Sequence, residues 1–168
     1  MKKISVIFIL LLLVNIFSGC GITVPRPEVK NAEFDFSVTY ELNGETRTVS
    51  GVYVCEYDGV YLALESGYCR GWNGYIKGDE PEEIIIGSTE DGGKIRLALC
   101  LYPEYFMNEP QASEWSDPEP CLLIDYPYTE GIETTLISDA KTIEEIYGAK
   151  IVSYNYSEPI ENSFGLFK

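Results

Sequence analysis

Histidine is absent from all 168 residues. That removes the commonest general base and the commonest zinc ligand. Ser-His-Asp and Cys-His catalysis are therefore excluded, and any acid–base chemistry would fall to carboxylates or lysine. Basic side chains are scarce as well, 12 against 27 acidic ones, for a net charge of −15. Such a surface repels nucleic acid and anionic lipid headgroups. No CxxC spacing occurs that would build a Cys₄ zinc site. The acidic runs 79–83 and 90–91 offer oxygen ligands, but no Asp-x-Asp-x-Asp-Gly loop orders them around calcium. The chain also lacks internal repeats and low-complexity tracts. The expectation is a protein with no metal, no cofactor, no nucleic-acid partner and no catalytic residue.

What is present begins at the N-terminus. Lys2 and Lys3 precede an apolar run from Ile4 to Phe17, broken only by Ser5 and Asn15, and Ser18-Gly19-Cys20 follows. A positive head, an apolar stretch of about 7–15 residues and small residues before a cut mark a secretory signal peptide. The run is short for a spanning helix, which needs roughly 20 residues. Phe17-Ser18-Gly19-Cys20 resembles the lipobox of bacterial lipoproteins, Leu-(Ala/Ser/Thr)-(Gly/Ala)-Cys, with Phe17 in place of the commonest leucine. The resemblance covers residues 1–20 only. It implies a diacylglyceryl thioether on Cys20, cleavage before it, further acylation of the palmitate type, and a location on the outer face of the bacterial membrane. Two or three acyl chains anchor stably, at about 0.8 kcal/mol per buried CH₂.

Three segments result: a signal peptide over 1–19, a lipid anchor and flexible tether over 20–32, and one β-rich extracytoplasmic domain over 33–168. Removing the signal takes away Lys2 and Lys3 and no acid, so 10 basic residues face 27 acidic ones and the net charge becomes −17. The remaining length is that of one domain with a real core. Apart from Cys20, the cysteines are Cys55, Cys69, Cys100 and Cys121. An even number in an exported domain points to disulfides, with three pairings open. The first choice joins sequence neighbours, Cys55 to Cys69 and Cys100 to Cys121. The other reading leaves free thiols packed in the core.

Along the domain, Phe34, Phe36, Val38, Tyr40 and Leu42 alternate with polar residues, which predicts a strand. Asn43-Gly44 predicts a tight hairpin turn. The return strand runs from Thr46 to Tyr57, with Val49, Tyr53, Cys55 and Tyr57 on one face and a bulge expected at Gly51. Asp58-Gly59 predicts a turn into a strand over 60–64. Residues 67–78 read as a loop or a twisted strand pair. Strands are expected over 84–86, 94–102, 121–126, 134–137 and 150–156. Thr142-Ile143-Glu144-Glu145 fits a capping box, and Gly148 a C-cap. The sum is all-β, a sandwich or partly open barrel of immunoglobulin-like size, with one short helix near 142–148.

Three features compete as functional surface. The long segment 103–120 lies among Tyr102, Tyr105, Phe106 and Trp115, and such loops are usually functional or disordered. Aromatics there would make a contact surface, or fold down onto the sheet. Trp72, with Tyr68 and Tyr75, would stack on sugar or serve as ordinary strand material. The acidic loops complete the set. The expected function is a non-enzymatic, membrane-anchored lipoprotein whose β-domain binds a protein or glycan at the cell surface through residues 102–119. The alternative is a structural or assembly component of an envelope complex, contacting partners along a sheet edge.

Overall fold

The computed structural model describes residues 24–64, 67–78, 80–90, 92–110, 118–128, 131–135 and 140–165. The expected signal segment, Cys20 and Trp115 lie outside them.

Strand β2 (Asn31–Leu42) is the centre of the first sheet. Its alternation turns Phe34, Phe36, Val38 and Tyr40 inward, and all four are buried. Asn43 and Gly44 take positive φ of 52° and 82°, the backbone a two-residue hairpin needs. The turn leads into β3 (Glu45–Ala63), which pairs with β2 from Leu42–Glu45 to Asn31–Glu56. Gly51 interrupts nothing in this ladder. It stands opposite Phe36, and a Cβ there would meet the Phe36 ring at 3.0 Å. The glycine makes room for a ring, where a bulge was expected.

Asp58-Gly59 is not a turn. Tyr57 faces Trp72 and Gly59 faces Gly71 on β4 (Gly67–Ile76), which leaves Asp58 as the extra residue of a bulge. The strand expected over 60–64 is the far end of β3. The ribbon runs on past Gly59, because Val60–Ala63 still pair with Arg70–Gly67. Strand β9 (Ala149–Tyr156) closes the other edge, giving the order β4-β3-β2-β9.

The second sheet is also antiparallel: β5 (Glu83–Ser88), β6 (Lys94–Ala98), β7 (Cys121–Tyr128) and β8 (Gly131–Thr135), neighbours in that order. Ile86, Ile95, Leu97, Leu122 and Ile124 share one core with the buried residues of the first sheet. The protein is all-β, two four-stranded sheets in a sandwich-like arrangement. Helix α2 (Ala140–Tyr147) packs on the core through Ile143. It starts two residues before Thr142, so that residue lies in its first turn and not at its cap. Gly148 ends it at φ 59° and returns its N–H to the Glu144 carbonyl at 3.0 Å. A one-turn helix, α1 (Pro103–Phe106), was not expected; Pro103 opens it at a position where no N–H is needed.

The expected tether 20–32 is part of the fold from residue 24 onward. Arg26–Pro27 (β1) pair with Phe164–Gly165 (β10) in a small third sheet. The Val29 N–H donates to Asn162 Oδ1 (3.0 Å), and Asn162 Nδ2 donates to the carbonyls of Val29 (3.1 Å) and Met107 (3.2 Å). Proline suits such an edge, where no ladder N–H is asked of it.

Candidate functional site

After β6 the chain crosses the core as an irregular segment, 99–110. Leu99, Leu101, Phe106 and Met107 are buried. A buried backbone without a ladder must find other partners, and two tyrosines supply them. Tyr53 Oη donates to the Leu101 carbonyl at 3.1 Å, and Tyr156 Oη to that of Leu99 at 2.6 Å. Burial raises both phenols well above their ordinary range, so both remain donors. Tyr53 reaches across Gly74, where a Cβ would collide with its hydroxyl.

Between those two carbonyls Cys100 adopts φ 51°, rare for a residue with a side chain. Its sulfur lies 3.7 Å from that of Cys121, the first residue of β7. The Cys121 thiol and then the Tyr102 hydroxyl hydrogen-bond to Cys100 and hold it down to about 6, against the opposing effect of burial. The same contact pushes Cys121 far up, because both sulfurs cannot be anionic at this distance. Cys55 is buried and pushed up to about 12, by burial first. All four domain cysteines are free thiols. Cys55 faces Gly74 and Cys69 faces Tyr61. Five residues of β4 therefore separate Cys69 from Cys55's partner, about 17 Å at 3.3–3.4 Å per residue. A disulfide needs its Cα atoms about 5.5 Å apart. The register thus rules out the expected Cys55–Cys69 pairing and brings Cys100 to Cys121.

Beyond α1 the chain ends its crossing at Glu109. Arg70 on β4 grips this carboxylate with two nitrogens: Nε donates to Oε2 at 2.7 Å and Nη2 to Oε1. Trp72 Nε1 adds a third donor at 3.1 Å. Arg70 Nη1 donates to the Pro25 carbonyl at 3.0 Å, and its guanidinium lies 4.4 Å from the centre of the Phe164 ring. Both charged side chains are buried, with only 6% and 3% of their surface exposed. One ion pair thus ties β4, the crossing segment, the N-terminal strap and the C-terminal strand together.

Of the aromatic surface expected over 102–119, Phe106 is consumed by this packing. Phe106 is 1% exposed and touches the rings of Phe34, Tyr53, Tyr105 and Tyr156. Trp72 is buried against Tyr57 and Glu109. Neither offers a face to a partner. Tyr102 and Tyr105 are half-buried, and Trp115 lies outside the described residues.

At the opposite end of the sandwich the surface opens. A cleft of about 620 Å³ runs between the β2–β3 turn, the β5–β6 hairpin and the end of α2. Leu42, Ile95, Ile146 and Tyr147 form its apolar walls, with Asn43 and Ser88 among its polar groups. The Asn43 N–H donates to the Gly148 carbonyl at 2.9 Å, which fixes two sides of the opening. Comparison with protein-family models, curated proteins and solved structures finds no match for this chain. The site is therefore read from its own geometry. Among the described residues no group of three histidine, cysteine, aspartate or glutamate side chains converges on a point that would hold a metal. None of their helices is long and apolar enough to cross a membrane.

The cleft and the Arg70–Glu109 clamp were both missed in the sequence. The clamp's partners are 39 residues apart, and no periodicity links them. Gly148 was legible as a helix end, but not as the wall of an opening.

Proposed function

We propose that this chain is a membrane-anchored, extracytoplasmic lipoprotein, non-enzymatic, whose β-domain binds a protein or glycan at the outer face of the bacterial membrane. One observation carries the reading: the domain has two unlike ends. At one end the strap from Val24 onward is clamped to the fold, four residues after Cys20. At the other end, the length of β2 away, lies the cleft. Twelve residues of strand span roughly 37 Å at 3.3–3.4 Å per residue. A domain held by a lipid on Cys20 would carry that cleft away from the bilayer, where an extracellular ligand can reach it. Its mixed walls suit a few oriented polar contacts beside apolar ones.

A second reading, an assembly component of an envelope complex, draws on one feature. Val152 and Tyr154 on the edge strand β9 are about half exposed, at 51% and 47%. An edge strand with exposed apolar side chains is a template for another chain.

In-cell photo-crosslinking separates the two. A photoreactive residue at Ile146 should give a discrete adduct, and one at Tyr154 should not. Adducts from Tyr154 alone would replace the first reading by the second. No adduct from either position would remove both.

A further inference from the structure

Among the described residues, the apolar surface most open to solvent is neither the cleft nor the crossing segment. It is the far end of the β3–β4 hairpin. β2 accompanies β3 only as far as Glu56. From Gly59 to Ala63, β3 pairs with β4 alone among the described residues. The Asp58 bulge stands at the root, and bulges add local twist that swings a ribbon away from its sheet. Along this ribbon Leu64 is fully exposed, Leu62 62%, Tyr61 54%, and Val60 and Tyr68 44% each. Between Gly59 and Cys69 the only charged side chain is Glu65, in a protein with 27 acidic residues. A cluster of this kind marks a contact, since isolated two-stranded ribbons gain little stability in water.

Its position identifies the partner. Arg70, which holds the Pro25 carbonyl, is the residue of β4 opposite Val60. The N-terminal strap therefore meets the domain at the root of this hairpin. Cys20 is four residues before Val24. At 3.8 Å per residue it lies within about 15 Å of it. Lipid on Cys20 would thus bring the bilayer to the hairpin's side of the molecule. The chain as a whole is strongly acidic, with 27 acidic against 12 basic residues, and is repelled by anionic headgroups, while residues 60–68 carry one charge. Its tyrosines suit the headgroup level and its leucines the acyl boundary.

We propose that the β3–β4 hairpin dips Tyr61, Leu62, Leu64 and Tyr68 into the leaflet that holds the Cys20 lipid. This rests on the anchored-lipoprotein reading and extends it. The lipid supplies retention, and the hairpin supplies a second contact that fixes orientation and turns the cleft outward.

The test uses the full-length protein, expressed in bacteria, extracted from membranes and reconstituted into phosphatidylglycerol–phosphatidylethanolamine vesicles doped with a diazirine-bearing lipid. Intact mass first establishes whether Cys20 carries acyl chains. After illumination, lipid adducts are mapped by peptide mass spectrometry. The expected result is labelling of the peptide holding residues 60–68 on the order of tenfold above that holding the Asn43-Gly44 turn, as shallow insertion of one end implies. The triple variant Tyr61→Ser, Leu62→Ser, Leu64→Ser should keep its acyl mass and lose the label. An acylated wild-type protein labelled equally at both ends, or joined at the hairpin to another protein chain in place of lipid, would overturn the hairpin contact and leave the anchor standing. A wild-type protein with no acyl mass would overturn the anchor, and the orientation with it. The wild-type map decides the question even if the triple variant fails to fold.

Discussion

Arg70 and Glu109, 39 residues apart in sequence, form a buried two-pronged ion pair whose remaining contacts reach the N-terminal strap at Pro25 and the C-terminal strand at Phe164. Removing charges from water is expensive, and the Coulomb attraction offsets this only when geometry and extra hydrogen bonds are good. Here Trp72 and the Pro25 carbonyl provide those bonds. Truncating one partner strands the other. Glu109→Ala should destabilise the domain by about 3–5 kcal/mol. Lys77→Ala should cost less than about 1 kcal/mol, because the Lys77–Glu33 bridge is more than half exposed on both sides. Urea unfolding of the two variants checks the contrast; equal midpoints would deny the clamp its structural role.

The thiol pair has a pH signature. In the reduced protein Cys100 is held down to about 6 while Cys55 is pushed up to about 12. Below the lower value Cys100 is a neutral thiol; above it, a thiolate, the reactive form. Alkylation of Cys100 should therefore rise as pH passes upward through about 6 and level off near neutrality. Cys55 should stay unmodified until the protein unfolds. Site-resolved mass spectrometry after short iodoacetamide pulses reads both. A Cys100 midpoint near the ordinary thiol value would mean that the Cys121 contact is not made.

Oxidation should join Cys100 to Cys121 and leave Cys55 and Cys69 unjoined. The bridge would close a loop across a separation of 21 residues, worth about 3 kcal/mol in the chain-entropy account. Non-reducing peptide mapping of the oxidised protein identifies the pair. A Cys55–Cys69 linkage would contradict the β3–β4 register.

Phe106 and Leu62 make opposite predictions for the same kind of residue. Phe106→Ala empties a site lined by four rings and should cost about 3–5 kcal/mol. Leu62→Ser removes an exposed side chain and should leave thermal stability within about 0.5 kcal/mol of the parent. Calorimetry of both would show whether the aromatic segment is core and the hairpin is surface.

Gly74→Ala probes the support under the crossing segment. The new methyl would occupy the space of the Tyr53 hydroxyl, so Tyr53 must move and release the Leu101 carbonyl. A loss of about 1–3 kcal/mol is expected. If Tyr53→Phe added to Gly74→Ala caused the full loss of each, the two residues would not be coupled as described.

Much of this protein was legible in its residues alone. The alternation from Phe34 to Leu42, the Asn43-Gly44 turn and the buried face Val49-Tyr53-Cys55 follow from a side-chain period of two and from φ preferences. Both are local properties of a strand. So is the Gly148 helix end. The absence of histidine and the acidic balance bound the chemistry without any fold. Other features depended on which segments meet. Asp58-Gly59 reads as a turn, and only the continued pairing with β4 makes it a bulge. The aromatic crowding around 102–106 reads equally as a contact surface or a cover. Packing decided it for Phe106, which is buried among the rings of Phe34, Tyr53, Tyr105 and Tyr156. The cysteine pairing, the Arg70–Glu109 clamp and the folding-in of residues 24–32 are contacts across long stretches of chain. Composition and periodicity carry no record of such distances, and tertiary packing alone sets them.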